Sequence, residues 1–388
     1  MDYKHLSKQV EEYVKDLRRK IHQYPELGSH EFKTQELIIK CLEDLNIEYT
    51  KINNTSVIAN IYGLVDNSKI FALRADMDAL PMQEESNYEY KSLVDNVAHT
   101  CGHDVHTSML LGAAKILSEN TDQFDGCIRL IFQESEEVGA ETAKYAKQAM
   151  ENVDAIFALH VTSSLEVGEV DCSSGPRFAG ADVIHIKWIG ESGHSSEPFK
   201  ARDSLFAAAT FVTQADSIIS KFINPNESAV LSCGHFNSGD VPNIIPKYAQ
   251  TDFTFRYFNY DVQKVVFQKI NEYAQSVASM YNVEANVDIR VELSPVINDA
   301  EIANFATKTF SDIYDISKVK SLPALNGAED FSEYLLYTKG AIGWLGVRNE
   351  DIDAIYPVHH EKFKIDEESM VIGLSWLCAV AVEFLNKK

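Results

Sequence analysis

The chain has 388 residues and a formal net charge of -23 at pH 7. That length exceeds a comfortable single core and predicts two domains. The acidic balance excludes non-specific nucleic-acid binding, which needs clustered Lys and Arg.

The opening segment, residues 3–23, reads as one amphipathic helix with Leu6, Val10, Val14, Leu17 and Ile21 at helical spacing. Pro25 and Gly28 break it, and residues 31–45 read as a second helix. Strands follow at 56–62 and 70–73, the latter running into Arg74-Ala75-Asp76-Met77-Asp78. A helix over 105–117, a buried strand at 127–132, a helix over 140–150 and a strand at 155–159 complete an alternating pattern. Such alternation predicts an α/β domain whose sheet is covered by helices on both faces. From Val183 the order becomes β-α-β-β-α-β, the split unit of a ferredoxin-like sandwich. The expected architecture is therefore a catalytic domain with a mixed, helix-covered β-sheet (residues 1–178 and 294–388) and an inserted ferredoxin-like α+β domain (residues 179–293).

The six dispersed cysteines, Cys41, Cys101, Cys127, Cys172, Cys233 and Cys378, predict a reduced, intracellular chain. No signal-peptide apolar region opens the chain, and no apolar run is expected to cross a bilayer. The expected address is cytoplasmic, without a membrane partner.

Chemistry concentrates in Cys101-Gly102-His103-Asp104-Val105-His106, a dense set of transition-metal donors. On an extended backbone Cys101 and His103 share a face. His106 can instead pack or orient at the start of the next helix. Glu136 and Glu137 follow an apolar strand; one carboxylate can hold a metal while the other takes a proton from water. His160 is expected to end a strand, and one of His359 and His360 is a further donor. Asp76, Glu136, Glu137 and His160 all follow predicted strands, at the carboxyl ends where α/β sheets place their sites. In the inserted domain, His194 lies in the loop Gly190–Pro198 and can donate to a developing oxyanion. Asn243 is a polar candidate, and Arg256 suits a substrate carboxylate or, alternatively, a surface salt bridge.

These motifs together resemble the dinuclear-metal aminoacylase and carboxypeptidase family of metallopeptidases. Within it they are most similar to the amidohydrolase branch of hippurate hydrolases, N-acetyldiaminopimelate deacetylases and auxin-conjugate hydrolases. The resemblance begins at Arg18-Arg19-Lys20-Ile21-His22 and runs through Leu73–Pro81, His99–His106, Gly193-His194, Pro242-Asn243 and Ala328-Glu329-Asp330-Phe331. It implies Cys101, His103, Glu137, His160 and His359 as ligands of two divalent ions, zinc, manganese or cobalt. His359 is preferred over His360 because the family places the ligand four residues before an aromatic, here Phe363. Glu136 would be the general base and Asp76 an orienting acid. The inserted domain would be a lid that pairs two subunits, with His194 serving a neighbour's site. The implied reaction is hydrolysis of a small N-acyl amino acid. Dipeptidase activity, a cysteine hydrolase built on Cys101, and a silent metal- or peptide-binding module are the alternatives. The chain departs from the family at Glu134 and Ser135, where Pro-Ala is usual, at Glu361, and at Ser195-Ser196. Glu134 is expected to add negative charge near the site and alter substrate preference.

Overall fold

The structure is a computed structural model that describes every residue except Asp66, Asn67, Tyr88, Ala140, Glu141 and Lys388, and the side chain of Ala143. Its chain divides into two compact units. The first comprises Met1–Arg177, Ile297–Pro323 and Asp330–Lys388; the second comprises Phe178–Val296 and Ala324–Glu329. The principal strands are β1 (Glu48–Ile52), β2 (Ser56–Tyr62), β3 (Ile70–Asp76), β4 (Cys127–Gln133), β5 (Ala155–Glu166), β6 (Val170–Asp171), β7 (Gly180–Ile189), β8 (Ala229–Ser238), β9 (Tyr248–Tyr257), β10 (Glu284–Leu293) and β11 (Lys339–Arg348).

In the first unit the sheet order is β1-β2-β4-β3-β5-β11-β6. The central strands β4, β3, β5 and β11 are mutually parallel, and β1, β2 and β6 are antiparallel additions. Central strands covered on both faces need apolar residues on both, and Phe71, Ala72, Leu73, Ile128, Leu130 and Ile131 are all buried. The helix His103–Ser118 is buried along almost its whole length. Against expectation, one helix, Glu368–Asn386, is long and apolar enough by composition to cross a membrane; 72% of that window is buried inside the fold. It is a core helix: Trp376 is fully buried, and its Nε1 donates to the Ala306 carbonyl at 2.8 Å.

Several boundaries differ from the sequence reading. The opening helix is two, Tyr3–Gln9 and Glu11–Gln23, broken at Val10. The hairpin strand β1 was not expected. Of the helix expected over 140–150, the first two residues lie outside the described residues; the rest forms a 3-10 turn, Thr142–Lys144, and a short helix, Ala146–Ala149. His160 does not end its strand. β5 runs on to Glu166 because β11 pairs alongside it through Trp344↔His160 and beyond, whereas its pairing with β3 stops at Arg74↔Ala158. His160 thus sits just past the point where β5 loses one neighbour.

The second unit is a four-stranded antiparallel sheet of order β8-β9-β7-β10. The helices Ser204–Phe222 and Tyr260–Tyr281 supply the two crossings of the β-α-β-β-α-β pattern. Period-2 alternation aims Ile184, Ile186, Trp188, Phe253 and Phe255 into one buried cluster shared with these helices. Polar residues such as Lys187, Gln250 and Thr254 take the opposite, exposed face.

Candidate metal centre

Gly102 adopts φ +90, and a Cβ there would lie 2.3 Å from Val161 Cγ2, so only glycine fits. The left-handed turn lets the helix begin at His103, not at Val105. Cys101 and His103 therefore meet around a turn, not along the extended backbone that the sequence reading assumed. Glu136 and Glu137 likewise lie on a 3-10 turn, Glu136–Val138, preceded by Ser135 at φ 60. The turn brings their carboxylates together rather than apart: each comes within 3.9 Å of His103 Nε2. His359 is also left-handed at φ 63, and its N–H donates to the Thr100 carbonyl at 2.8 Å. Its Nε2 lies 3.1 Å from Glu137 Oε1.

The donor atoms form two overlapping sets. Cys101, His103 and His160 make one, and Cys101, Glu137 and His359 the other; within each, the atoms lie within 4.8 Å of one another. Cys101 Sγ is common to both and sits 3.5 Å from His160 Nε2. Two centres sharing a thiolate fit this arrangement. His360 lies apart from these sets, stacked on Tyr356 with its Nδ1 accepting from the Lys362 N–H.

Neighbouring groups fix which histidine nitrogen is free. His160 Nδ1 donates to the Val161 carbonyl at 2.8 Å, which leaves Nε2 as a lone pair facing Cys101. His103 Nδ1 lies 3.1 Å from Asp78 Oδ1, and Asp78 Oδ2 also takes the Glu137 N–H at 2.9 Å. His106 Nε2 accepts the Val161 N–H at 3.0 Å, so its Nδ1 donates to Asp76 at 2.6 Å. Both nitrogens of His106 are occupied, which leaves it no lone pair for a cation. Asp76 is held in turn by Arg74 at 2.7 Å.

A cation fits this donor set on two observations. His103 Nε2 is buried with no hydrogen-bond partner among the described residues, and Glu137 Oε1 is buried with only the His359 ring near it. The mixture of one sulfur, three imidazoles and a carboxylate is that of zinc-type sites. Burial opposes charge on His103, yet Asp76 and Cys101 outweigh it and hold its pKa well above the usual range. Burial pushes the Cys101 thiol well up, which makes it a poor nucleophile by itself. Burial lowers the His160 pKa to about 3, keeping it neutral as a ligand must be.

The sequence reading missed Asp78, although its spacing from Asp76 at a strand end was a usable signal. It also missed a buried cluster behind the helix start. Asp104 accepts from Arg18 at 3.0 Å and lies 2.9 Å from His22 Nδ1, while His22 Nε2 lies 3.2 Å from Glu84. Contrary to the expectation that it adds charge beside the site, Glu134 does not face the donors. It is fully buried and turns into the β1–β2 hairpin, accepting from Asn53, Thr55 and Ser56.

In the second unit, His194 and Asn243 are exposed neighbours, joined by the Ile244↔His194 bridge and the Ser195 N–H to Asn243 carbonyl bond. The Ser196 N–H donates to His194 Nδ1 at 3.1 Å, so Nε2 carries the ring proton. Arg256 stands at the far end of its strand from Tyr248, which comes shortly after the bridge segment Ile244–Ile245. From Tyr248, paired with Ile189, to Arg256, paired with Ala181, the strand covers about 26 Å at a rise of roughly 3.3 Å per residue. Arg256 makes no ion pair among the described residues, which removes the surface salt bridge.

Comparison with known proteins gives a consistent result. Residues 72–383 match the model for peptidase family M20/M25/M40. The chain is 35% identical to thermostable carboxypeptidase 1 of Saccharolobus solfataricus over 98% of this chain and 97% of that protein. It is 33% identical to N-acetyl-L-cysteine deacetylase of Bacillus subtilis over 97% of this chain and 89% of that protein. A solved Bacillus subtilis structure, described as a dinuclear metal binding peptidase from the M20 family, superposes with a TM-score of 0.85 at 29% identity, covering 98% of this chain and all of that one.

Proposed function

The chain belongs to peptidase family M20/M25/M40 and is a hydrolase of amide bonds; from that premise we propose that it cleaves N-acyl amino acids to a carboxylate and a free amino acid. Cys101, His103, Glu137, His160 and His359 would hold two divalent ions, zinc, manganese or cobalt. When bound, such ions lower the pKa of water and polarise the amide carbonyl. The observation that carries the reading is the pair of donor sets sharing Cys101, with Glu136 beside them.

Glu136 is the general base: it takes the proton of the attacking water and passes it to the leaving nitrogen. Asp76 orients His106, and Asp78 orients His103. His194 Nε2–H donates to the developing oxyanion, Asn243 contributes a polar contact, and Arg256 grips the carboxylate of the amino acid. Arg256 lies too far along its strand from His194 for one small substrate to touch both from a single copy. That separation supports a homodimer formed through the second unit, in which each copy lends His194 and Asn243 to its partner's site. None of the six cysteines forms a disulfide among the described residues, which supports a cytoplasmic address.

Glu136→Gln tests the assignment. It should keep both metals and lose about 10²–10⁴ in turnover; near-normal turnover refutes it. Release assays on acetyl, benzoyl and longer acyl amino acids, with dipeptides alongside, identify the substrate. Exclusive dipeptide turnover would move the reading to a dipeptidase.

A further inference from the structure

Glu134 and Glu31 are both fully buried, and both contact the same hydroxyl. Thr55 Oγ1 lies 2.6 Å from Glu31 Oε2 and 2.7 Å from Glu134 Oε2. A hydroxyl has one proton to give. Two ionised carboxylates cannot both be satisfied by it, so the trio needs a second proton. The surroundings say where that proton sits. Glu134 Oε2 also takes the backbone N–H groups of Thr55 and Ser56, and its Oε1 takes the Asn53 amide. Such a set of donors stabilises a carboxylate. The Glu31 carboxyl has fewer: the Thr55 hydroxyl at Oε2, the Ser135 N–H at 2.8 Å from Oε1 and its own backbone N–H.

We propose that Glu31, Thr55 and Glu134 form a buried proton-sharing clamp, with Glu31 neutral and Glu134 ionised, that positions the turn carrying Glu136. Glu31 donates to Thr55 Oγ1, which donates to Glu134. The Glu134 carboxylate also holds the hairpin residues 53–56, and the other oxygen of Glu31 holds the N–H of left-handed Ser135, one residue before Glu136. Burial pushes the Glu31 pKa up to about 7, as the clamp requires. The titratable groups facing the pair are Asp78, at the end of β3, and the Tyr145 hydroxyl, which accepts from Ser56 at 2.9 Å. Asp78 repels a charge on Glu31 and so favours the neutral form.

Because the folded state holds this proton more tightly than the unfolded chain, the clamp's stability is lost as pH rises from the ordinary carboxyl range through about 7. Glu31→Gln supplies a permanent N–H in place of the shared proton. The test compares metal-loaded wild type with Glu31→Gln in melting temperature from pH 5 to pH 9 and in the infrared band of a neutral buried carboxyl group. The expected result is a melting-temperature gap that opens in favour of Glu31→Gln as pH rises, and a band present in wild type at pH 6 but absent in the variant. Parallel melting profiles, or no such band in wild type, overturn the proposal. Glu134→Gln should lower kcat at least tenfold with KM within twofold, because the turn is displaced while the substrate contacts remain. An unchanged kcat there removes the positioning role. This last arm rests on Glu136 as base; the melting and infrared arms do not, so the two readings fail separately.

Discussion

In the first unit Cys101, His103, His106 and His160 are buried, Glu136 and Glu137 are half-buried and His359 is exposed; His103 and His160 each have one nitrogen tied to a carboxylate or backbone group, and His106 has both. In the second, His194 and Asn243 are exposed on a short loop ribbon, and Arg256 stands at the far end of its strand. The difference matches the roles proposed for each. A cation demands donors held in fixed geometry, so every ligand needs a supporting neighbour. Groups that meet only the substrate can tighten when it binds, since catalytic hydrogen bonds are often loose without it. The first unit holds most of its donors pre-organised, and the second leaves the proposed substrate groups exposed.

This contrast can be broken or sharpened experimentally. After Glu136→Gln, the largest effect is expected from the exposed side. His194→Ala should lower turnover by about 10²–10³, the scale for losing one oxyanion donor, while leaving the metal content unchanged. Mixing it with Glu136→Gln subunits should restore activity; proven heterodimers without activity would place His194 on its own copy's site. A smaller effect is expected inside the first unit. Asp78→Asn should weaken metal affinity by about 10–100-fold, the usual cost of removing a group that orients a metal-binding histidine. Titration against a competing chelator reads it, and unchanged affinity would show that His103 is held by other contacts.

The smallest effect on turnover at saturating metal is expected from Asp104→Asn, which should act on stability. Burial disfavours the Asp104 charge, but Arg18 and His22 outweigh it and hold its pKa far below 3.8. A depressed carboxyl stabilises the fold above its unfolded value and loses that contribution as pH falls below it. His22 has the opposite sign: burial lowers its pKa, Asp104 more than restores it, and its contribution fades as pH rises above the ordinary histidine value. Asp104→Asn should therefore cost about 3–5 kcal/mol near neutral pH, the scale for breaking a buried pair. Denaturant unfolding should show that penalty shrinking below about pH 4. A penalty independent of pH would assign Asp104 a purely steric role.

Much of this was legible in the sequence, because strand and helix periods report burial directly. The ferredoxin-like order of the second unit and the strand-end placement of Asp76 and Glu136 followed from such patterns. What was not legible depended on single backbone angles. Cys101 and His103 meet through left-handed Gly102, and Glu136 and Glu137 through left-handed Ser135, neither of which periodicity encodes. Glu134 looked like a charge beside the substrate, yet the hairpin Asn53–Ser56 supplies enough donors to bury it. Long-range partners such as Arg18 and Asp104 leave no local pattern.

The most direct test is anomalous diffraction from crystals of the zinc-loaded protein. The account predicts two peaks per chain, one against His103 and His160 and one against Glu137 and His359, with Cys101 Sγ between them. A single peak, or peaks away from Cys101, would contradict it.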